Sequence, residues 1–517
     1  MDRGEKQRMR LLRFYIDSYR VLSKLDVRFD PGAPQDNQER PYHLDFLVGV
    51  NGTGKSTVLR LLARIFRGVT VSFEELSDLP FILEYYREGD RHKKIYIANI
   101  HRTPDGAMQS LDRYFVCTAG GLDAPYDVES PDDEHLKDVV ESELLPERII
   151  AYTTGSEDEW LDHDQPDPQA NASDRPVQLE MTAAERTLQE RTGWSWVQTE
   201  KQEGKAPQFR FIRQAQLALV ALAGLLLHHE TEQQSPLANA LKQVNFQGMA
   251  GFSLQFNLTY ASVNERNQIW QRFGQHASRA IRSGGRVLMV FQPDTFARLL
   301  KEHGSALALF EQLADWYSQE SPLLTKVNLF LERAKTEKQA SPLHTWEWLS
   351  DGERSFLGRM CLFMLFGDVE SLILLDEPEV HFNDYWKRHI VDTIHQILAG
   401  KRKPHRSHLL IATHSSISLS DVPKEDVVVL RRSGMLTDTM SMPSIQTFGA
   451  DPSDIMVHVF DAPHAMGQHS VNEIEQWLGE AYQKPATERR KFLDEKLKQV
   501  SPGYWAYRIR REMVGLP

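Results

Sequence analysis

Four short stretches of this 517-residue chain carry residues whose types and spacing could do chemistry. The first is GVNGTGKS, residues 49–56, which fits the phosphate-binding pattern G-x-x-x-x-G-K-[ST] in full. Its glycines let backbone N–H groups turn inward around phosphate oxygens. Lys55 would reach the β- and γ-phosphates, Ser56 would offer its hydroxyl to Mg²⁺, and the following helix start favours negative charge. The candidate nucleotide contacts are therefore Gly49, Asn51, Gly52, Thr53, Gly54, Lys55, Ser56 and Thr57. The second stretch is LILLDEPE, residues 372–379, an apolar run ending in two carboxylates. Asp376 would share the Mg²⁺ ion with Ser56, and Glu377 would orient and deprotonate an attacking water. Adjacent acids at the end of a core strand are costly unless a cation needs them. The third is HLLIATHSS, residues 408–416, another buried strand, ending in His414 where it could touch a γ-phosphate. The fourth is LSDGERS, residues 349–355. Ser350, Asp351, Gly352 and Glu353 have no base or metal ligand beside them, but they open an apolar helix, and a helix start can bind an anion.

These stretches need elements to hold them. LLRFYIDSY, LDVRFD and HLDFLVGV read as strands before the glycine loop, and TVLRLLARIF reads as a helix after it. IYIAN, RYFVCTA and RIIAYTTG read as further strands, separated by an acidic region and followed by a polar, Pro/Asp-rich loop over 156–176. Residues 177–345 show mostly helical patches, interrupted by strand-like FSLQFNLTY and RVLMVF, with no sustained heptad pattern. From 346 to 432 a turn, a helix (RSFLGRMCLFMLFG), a strand (SLILLDE), a helix (YWKRHIVDTIHQIL) and a strand (HLLIATH) alternate, as a parallel sheet requires. The tail beyond about 450 reads as helical and charged.

Bulk composition excludes several classes. A formal net charge of −12 argues against coating nucleic acid through overall charge, although KRKPHRSH (401–408), YRIRRE (507–512) and MTAAERTLQER (181–191) are local candidates. Two cysteines, Cys117 and Cys361, far apart, give no disulfide framework or cysteine zinc site. The basic start MDRGEKQRMRLLRF has no apolar core of a signal peptide, and LALVALAGLLL (217–227) is too short for a bilayer, which needs ~20 residues. The expected setting is cytoplasmic, with no membrane partner.

In this order, the glycine loop, LSDGE, LILLDE and ATH resemble the motif set of an ABC-type ATPase. The expected fold is α/β: an ABC-type P-loop ATPase head split by an inserted mostly helical lobe. The expected organisation is the N-terminal half of the head over 1–156, the lobe over 157–345, the C-terminal half over 346–432 and a helical C-terminal region over 433–517. The split head is similar to the RecF/SMC/OLD-like branch. RIIAYTTG, EVHFNDYWKR, SISLSDVP and TFGADPSDIM resemble bacterial anti-phage ATPases of the Septu PtuA type and related retron- and PARIS-associated ATPases.

The resemblance implies ATP and Mg²⁺ as ligands, with Glu377, His414 and Lys55 catalytic, and Ser56 and Asp376 at the metal. It implies that Ser350 and Gly352 close over the nucleotide held by a second copy, so that self-association gives a dimer or a larger even-numbered assembly. Glu379 to Phe382 would then lie near the partner's site. It implies a nucleotide-gated switch controlling a separate nuclease, with nucleic acid as a possible further partner. A RecF/Rad50-like DNA clamp and an ATP-stabilised scaffold with little turnover are the competing readings. Two departures stand out. Where relatives carry a Gln at the end of the strand after the P-loop half, the pattern puts Thr154, leaving Gln189 and Gln216 as substitutes. Residues 420–517 also lack the acidic cluster of an OLD-type Toprim nuclease.

Overall fold

A computed structural model of the chain describes residues 9–29, 42–71, 76, 79–87, 94–102, 108–117, 145–161, 208–231, 235–259, 261–318, 321–333, 343–367, 369–399 and 407–514. The readings placed on 181–191, Gln189 and 401–406 lie outside these residues. The chain divides into two compact units, 1–452 and 453–517.

The first unit begins with β1 (Met9–Tyr19) and β2 (Leu22–Arg28), followed by β3 (His43–Val48) and the helix Lys55–Val71. Then come β4 (Phe81–Arg87), β5 (Lys94–Arg102), β6 (Met108–Cys117), β7 (Arg148–Thr153) and β8 (Gln208–Ile212). After the helix Leu217–Thr231 the chain forms β9 (Phe246–Asn257), β10 (Arg279–Ser283), β11 (Arg286–Phe291), β12 (Leu324–Arg333) and β13 (Leu343–Thr345). The helix Asp351–Phe366 leads to β14 (Ser371–Asp376), and the helix Asp384–Ala399 leads to β15 (His408–Thr413), β16 (Val427–Ser433) and β17 (Leu436–Ser441).

Twelve strands make one sheet in the order β6-β5-β4-β1-β2-β17-β16-β3-β15-β14-β7-β8. From β16 to β8 every neighbouring pair is parallel. β14 and β15 are buried along their whole lengths, which is why they read as unbroken apolar runs. The wing from β6 to β2 is antiparallel. The expected α/β class therefore holds, with a large parallel core. β4, FILEYYR, extends the wing beyond the strands the sequence suggested.

Register decides where the chemistry goes. Val48 pairs with Thr413, Ala412 with Asp376, and Asp376 with Thr153. The C-terminal ends of β3, β15, β14 and β7 thus finish at one level, the edge at which open α/β sheets bind ligands.

Residues 157–345 hold more strand than FSLQFNLTY and RVLMVF alone indicated, and β8 among them joins the large sheet. Among the helices of these residues lies a five-stranded antiparallel sheet in the order β10-β11-β9-β12-β13. LALVALAGLLL lies in the helix Leu217–Thr231, buried over Leu217 and from Leu219 to Leu226. No helix among the described residues is long and apolar enough to cross a membrane. This helix packs on the helix Asp351–Phe366 with no room to spare. A Cβ added at Gly224 would stand 2.5 Å from the Cβ of Cys361, and one at Gly358 would stand 3.2 Å from that of Leu217. The second unit has its own small core, in which Val471, Ile474, Leu478, Leu493, Trp505 and Ile509 join the helices Gln468–Tyr482, Ala486–Leu497 and Tyr504–Met513.

Because Gly224 meets backbone-proximal atoms rather than a flexible tip, Gly224→Val should destabilise the first unit by ~2 kcal/mol, the usual scale of overpacking. Thermal denaturation of the purified variant measures this, and Gly479→Ala, at a helix position open to solvent, is the control.

Candidate functional site

The phosphate loop follows β3 directly. Gly52 and Gly54 take φ values of 81° and 85°, a region that side chains disfavour. Gly49 is required by a close approach: a Cβ there would stand 2.7 Å from the Leu430 carbonyl. Thr53 is buried and its hydroxyl donates to the Val50 carbonyl at 2.9 Å, while Asn51 and Gly52 are exposed at the tip. Lys55 curls back over its own loop, and its Nζ donates to the Gly49 carbonyl at 3.0 Å. Burial holds its pKa down, against the opposing pull of Glu377, Asp376 and Glu379. Thr57 is buried behind the loop, within 3.5 Å of the Arg60 guanidinium. Arg432, which carries no sequence motif, reaches from the end of β16 and donates to the Gly52 carbonyl.

The register then brings the acidic strand end under the loop. Ser56 Oγ donates to Asp376 Oδ1 at 2.9 Å. Thr153 Oγ1 donates to Asp376 Oδ2 at 3.2 Å. Burial is the main influence pushing the Asp376 carboxyl above its ordinary range. A buried carboxylate flanked by two hydroxyls is an all-oxygen donor set, which fits a hard divalent cation such as Mg²⁺.

Thr153 is the residue that sequence reasoning missed. Its neighbour Thr154, singled out from the pattern, turns the other way: its N–H donates to the Asp376 carbonyl at 3.3 Å and its hydroxyl to the Glu377 carbonyl at 3.2 Å. The missing signal was register, since only the pairing of Thr153 with Asp376 decides which threonine faces the carboxylate. Gln216 makes its bonds elsewhere. It ends the short turn Gln214–Gln216 ahead of the helix Leu217–Thr231, accepts from Arg213 N at 3.0 Å and donates to Ser318 Oγ at 2.8 Å.

Glu377 sits at φ 51°, a strained value for a residue with a Cβ, and its N–H is held by the Ala412 carbonyl at 2.8 Å. Its carboxylate accepts from His414 Nδ1 at 2.9 Å. That bond is the main reason Glu377 lies below the usual carboxylate range and His414 above the usual imidazole range. Two residues on lies Glu379. It is buried and accepts from the Thr413 hydroxyl, and Phe382 is buried as well. Of that segment His381 is the exposed member, at φ 73°.

Ser350 caps the helix Asp351–Phe366. Its Oγ accepts from Glu353 N at 3.2 Å, and the Glu353 carboxylate accepts from Ser350 N at 2.8 Å. Asp351 pairs with Arg354. Gly352 is required, since a Cβ there would stand 2.8 Å from the His381 carbonyl and 2.9 Å from the Trp386 ring. Lys55, Ser56, Asp376, Glu377 and His414 gather in one group, while Ser350, Asp351, Gly352 and Glu353 form a separate, partly exposed turn that makes no hydrogen bond to it among the described residues.

A family model described as "AAA domain, putative AbiEii toxin, Type IV TA system" matches residues 334–421, which include the Ser350 turn, the acidic pair and His414. No curated protein matches the chain. Among solved structures, the SMC head domain from Thermotoga maritima is similar at 10% identity over 84% of this chain and 100% of its own, with a TM-score of 0.33. The recombination mediator protein RecF-ATPrS of the RecFOR pathway is similar at 13% identity over 84% of this chain and 99% of its own, with a TM-score of 0.30.

Two expectations follow from the geometry. Thr153→Val should weaken Mg²⁺-dependent nucleotide binding by about tenfold, the scale of losing a group that orients a metal ligand, in a Mg²⁺ titration. The Glu377–His414 pair gives a pH signature. The contribution of Glu377 is present above its ordinary value and lost as pH falls through its lowered one. That of His414 is present below its ordinary value and lost as pH rises through its raised one. His414→Ala should therefore lower Tm most between about pH 4.5 and 6.5, the ordinary values of the two groups, and less outside that window. The effect should be only a few degrees, because both side chains are partly exposed.

Proposed function

We propose that this chain binds MgATP on the loop 49–56 and hydrolyses it, and that two copies complete each other's sites. The observation that carries the reading is the Ser56–Asp376 hydrogen bond, which joins the phosphate loop to the acidic strand end with Glu377 and His414 beside it. Ser56 and Asp376, with Thr153 behind, would hold the Mg²⁺ ion, which when bound would neutralise phosphate charge. Lys55 would exchange its carbonyl partners for phosphate oxygens. Glu377 would accept a proton from the attacking water and His414 would hold its carboxylate in place. The exposed tip Asn51–Gly52 and the separate Ser350 turn support a second copy as the source of the missing lip, because a helix start that makes no hydrogen bond to its own chain's phosphate loop among the described residues can meet the phosphate held by another.

In this reading ATP acts as a gate: it closes two heads, hydrolysis releases them, and the change is passed to a separate nuclease in anti-phage defence. The resemblance of the Ser350 and post-acidic motifs, and the toxin–antitoxin description of the family matched over 334–421, support that role.

Glu377→Gln should lower ATP turnover by about 10²–10⁴-fold, the usual worth of a general base, while leaving ATP bound. With ATP it should accumulate as a dimer or larger even-numbered assembly by mass measurement in solution, and Ser350→Arg should abolish that assembly without abolishing ATP binding. A Glu377→Gln protein that stays monomeric at saturating ATP rules the shared-site reading out. Purification with native partners retained tests the nuclease.

A further inference from the structure

Beneath the site lies a buried guanidinium that no motif includes. Arg359, on the helix capped by Ser350, is 1% exposed. Its Nη1 donates to the carbonyls of Pro378 and, at 3.2 Å, Val380. Its Nη2 donates to the Tyr152 hydroxyl at 3.0 Å. The guanidinium carbon lies 5.1 Å from the centre of the Tyr152 ring and 5.0 Å from that of Phe382. Among the described residues no carboxylate lies within ion-pair distance of it, the buried Glu379 acting on it only as a nearby charge, and its Nε has no hydrogen-bond partner. A long apolar side chain would fill such a space at far lower cost in desolvation. What the arginine adds is direction: a planar fork that fixes carbonyls in place.

The carbonyls it fixes are those of the first and third residues after Glu377, whose own backbone is strained at φ 51°. Strain of that kind persists only where surrounding contacts impose it. Tyr152 directly precedes Thr153, the threonine on Asp376. The same helix also packs on the residues just beyond that segment, through Gly352 against the His381 carbonyl and through Phe356 against Phe382 and Trp386, at 5.4 and 5.3 Å between ring centres. We propose that Arg359 is a positioning residue that holds the 377–380 segment so that Glu377 meets His414, and thereby ties the Ser350 helix to the hydrolytic group. The hydrolytic part of this inference rests on the ATPase reading, whereas the positioning part can be read without turnover.

The test is Arg359→Met and Arg359→Lys, with His414 titrated by NMR and assigned through His414→Gln. The Glu377 bond is the main cause of the raised His414 pKa, so loss of that contact is directly visible. In Arg359→Met the His414 titration should move toward that of an ordinary histidine, and Arg359→Lys should restore part of the shift. ATP affinity should stay within about threefold and KM should change little while kcat falls by about 10²-fold, the scale of a small misplacement of a catalytic group. Should Arg359→Met fail to fold, Tyr152→Phe removes one of the three direct bonds and should produce a smaller shift of the same sign. An unchanged His414 titration in folded Arg359→Met, or in Tyr152→Phe when it must stand in, overturns the positioning role. Wild-type protein without turnover but with the His414 shift in Arg359→Met would instead overturn the ATPase reading and keep this one.

Discussion

The hydrogen bond between Ser56 and Asp376 joins residues 320 positions apart, and the rest of the site depends on it. It can form only because β3, β15, β14 and β7 are parallel and in register, so that their C-terminal ends finish together. A slip of one residue in any of these pairings would turn alternate side chains to the other face and carry Asp376 away from the loop. β14 and β15 are buried along their whole lengths, so such a slip would also disrupt close packing on both of their faces. Core packing and chemistry are therefore one constraint here: the apolar strands fix the level at which the polar ends meet.

Around that bond the charges are arranged unevenly. Asp376 is buried and held above its ordinary range, whereas Glu377, one residue later, is half-exposed and held below it. Burial dominates in the first case and the His414 bond in the second. Two adjacent carboxylates thus differ in character through environment alone.

Much of this was legible in the chain itself. The glycine loop, the acidic strand end and His414 could be read because their strands are apolar on both faces and end sharply. Other features depended on tertiary pairing. FILEYYR, with Glu84 in its centre, does not read as a core strand, yet it is paired on both sides as β4, and Arg13 lies 3.5 Å from Glu84. Thr153 and Thr154 cannot be told apart without the β7–β14 register. Glu379 reads as a surface acid by type, and only the Thr413 hydroxyl beneath it reveals a buried one. Arg359 sits in an apolar helix as an anomaly whose partners lie far along the chain, so no local pattern could have announced it.

The contact between Gly224 and Cys361 leaves no slack between the helix Leu217–Thr231 and the helix that begins at Ser350. The five-stranded sheet runs from β13, which precedes that helix in the chain, to β10, an edge strand exposed along its whole length and carrying Arg279 and Arg282. The two helices are thus fitted as one close-packed pair, and the far margin of the five-stranded sheet presents two exposed arginines.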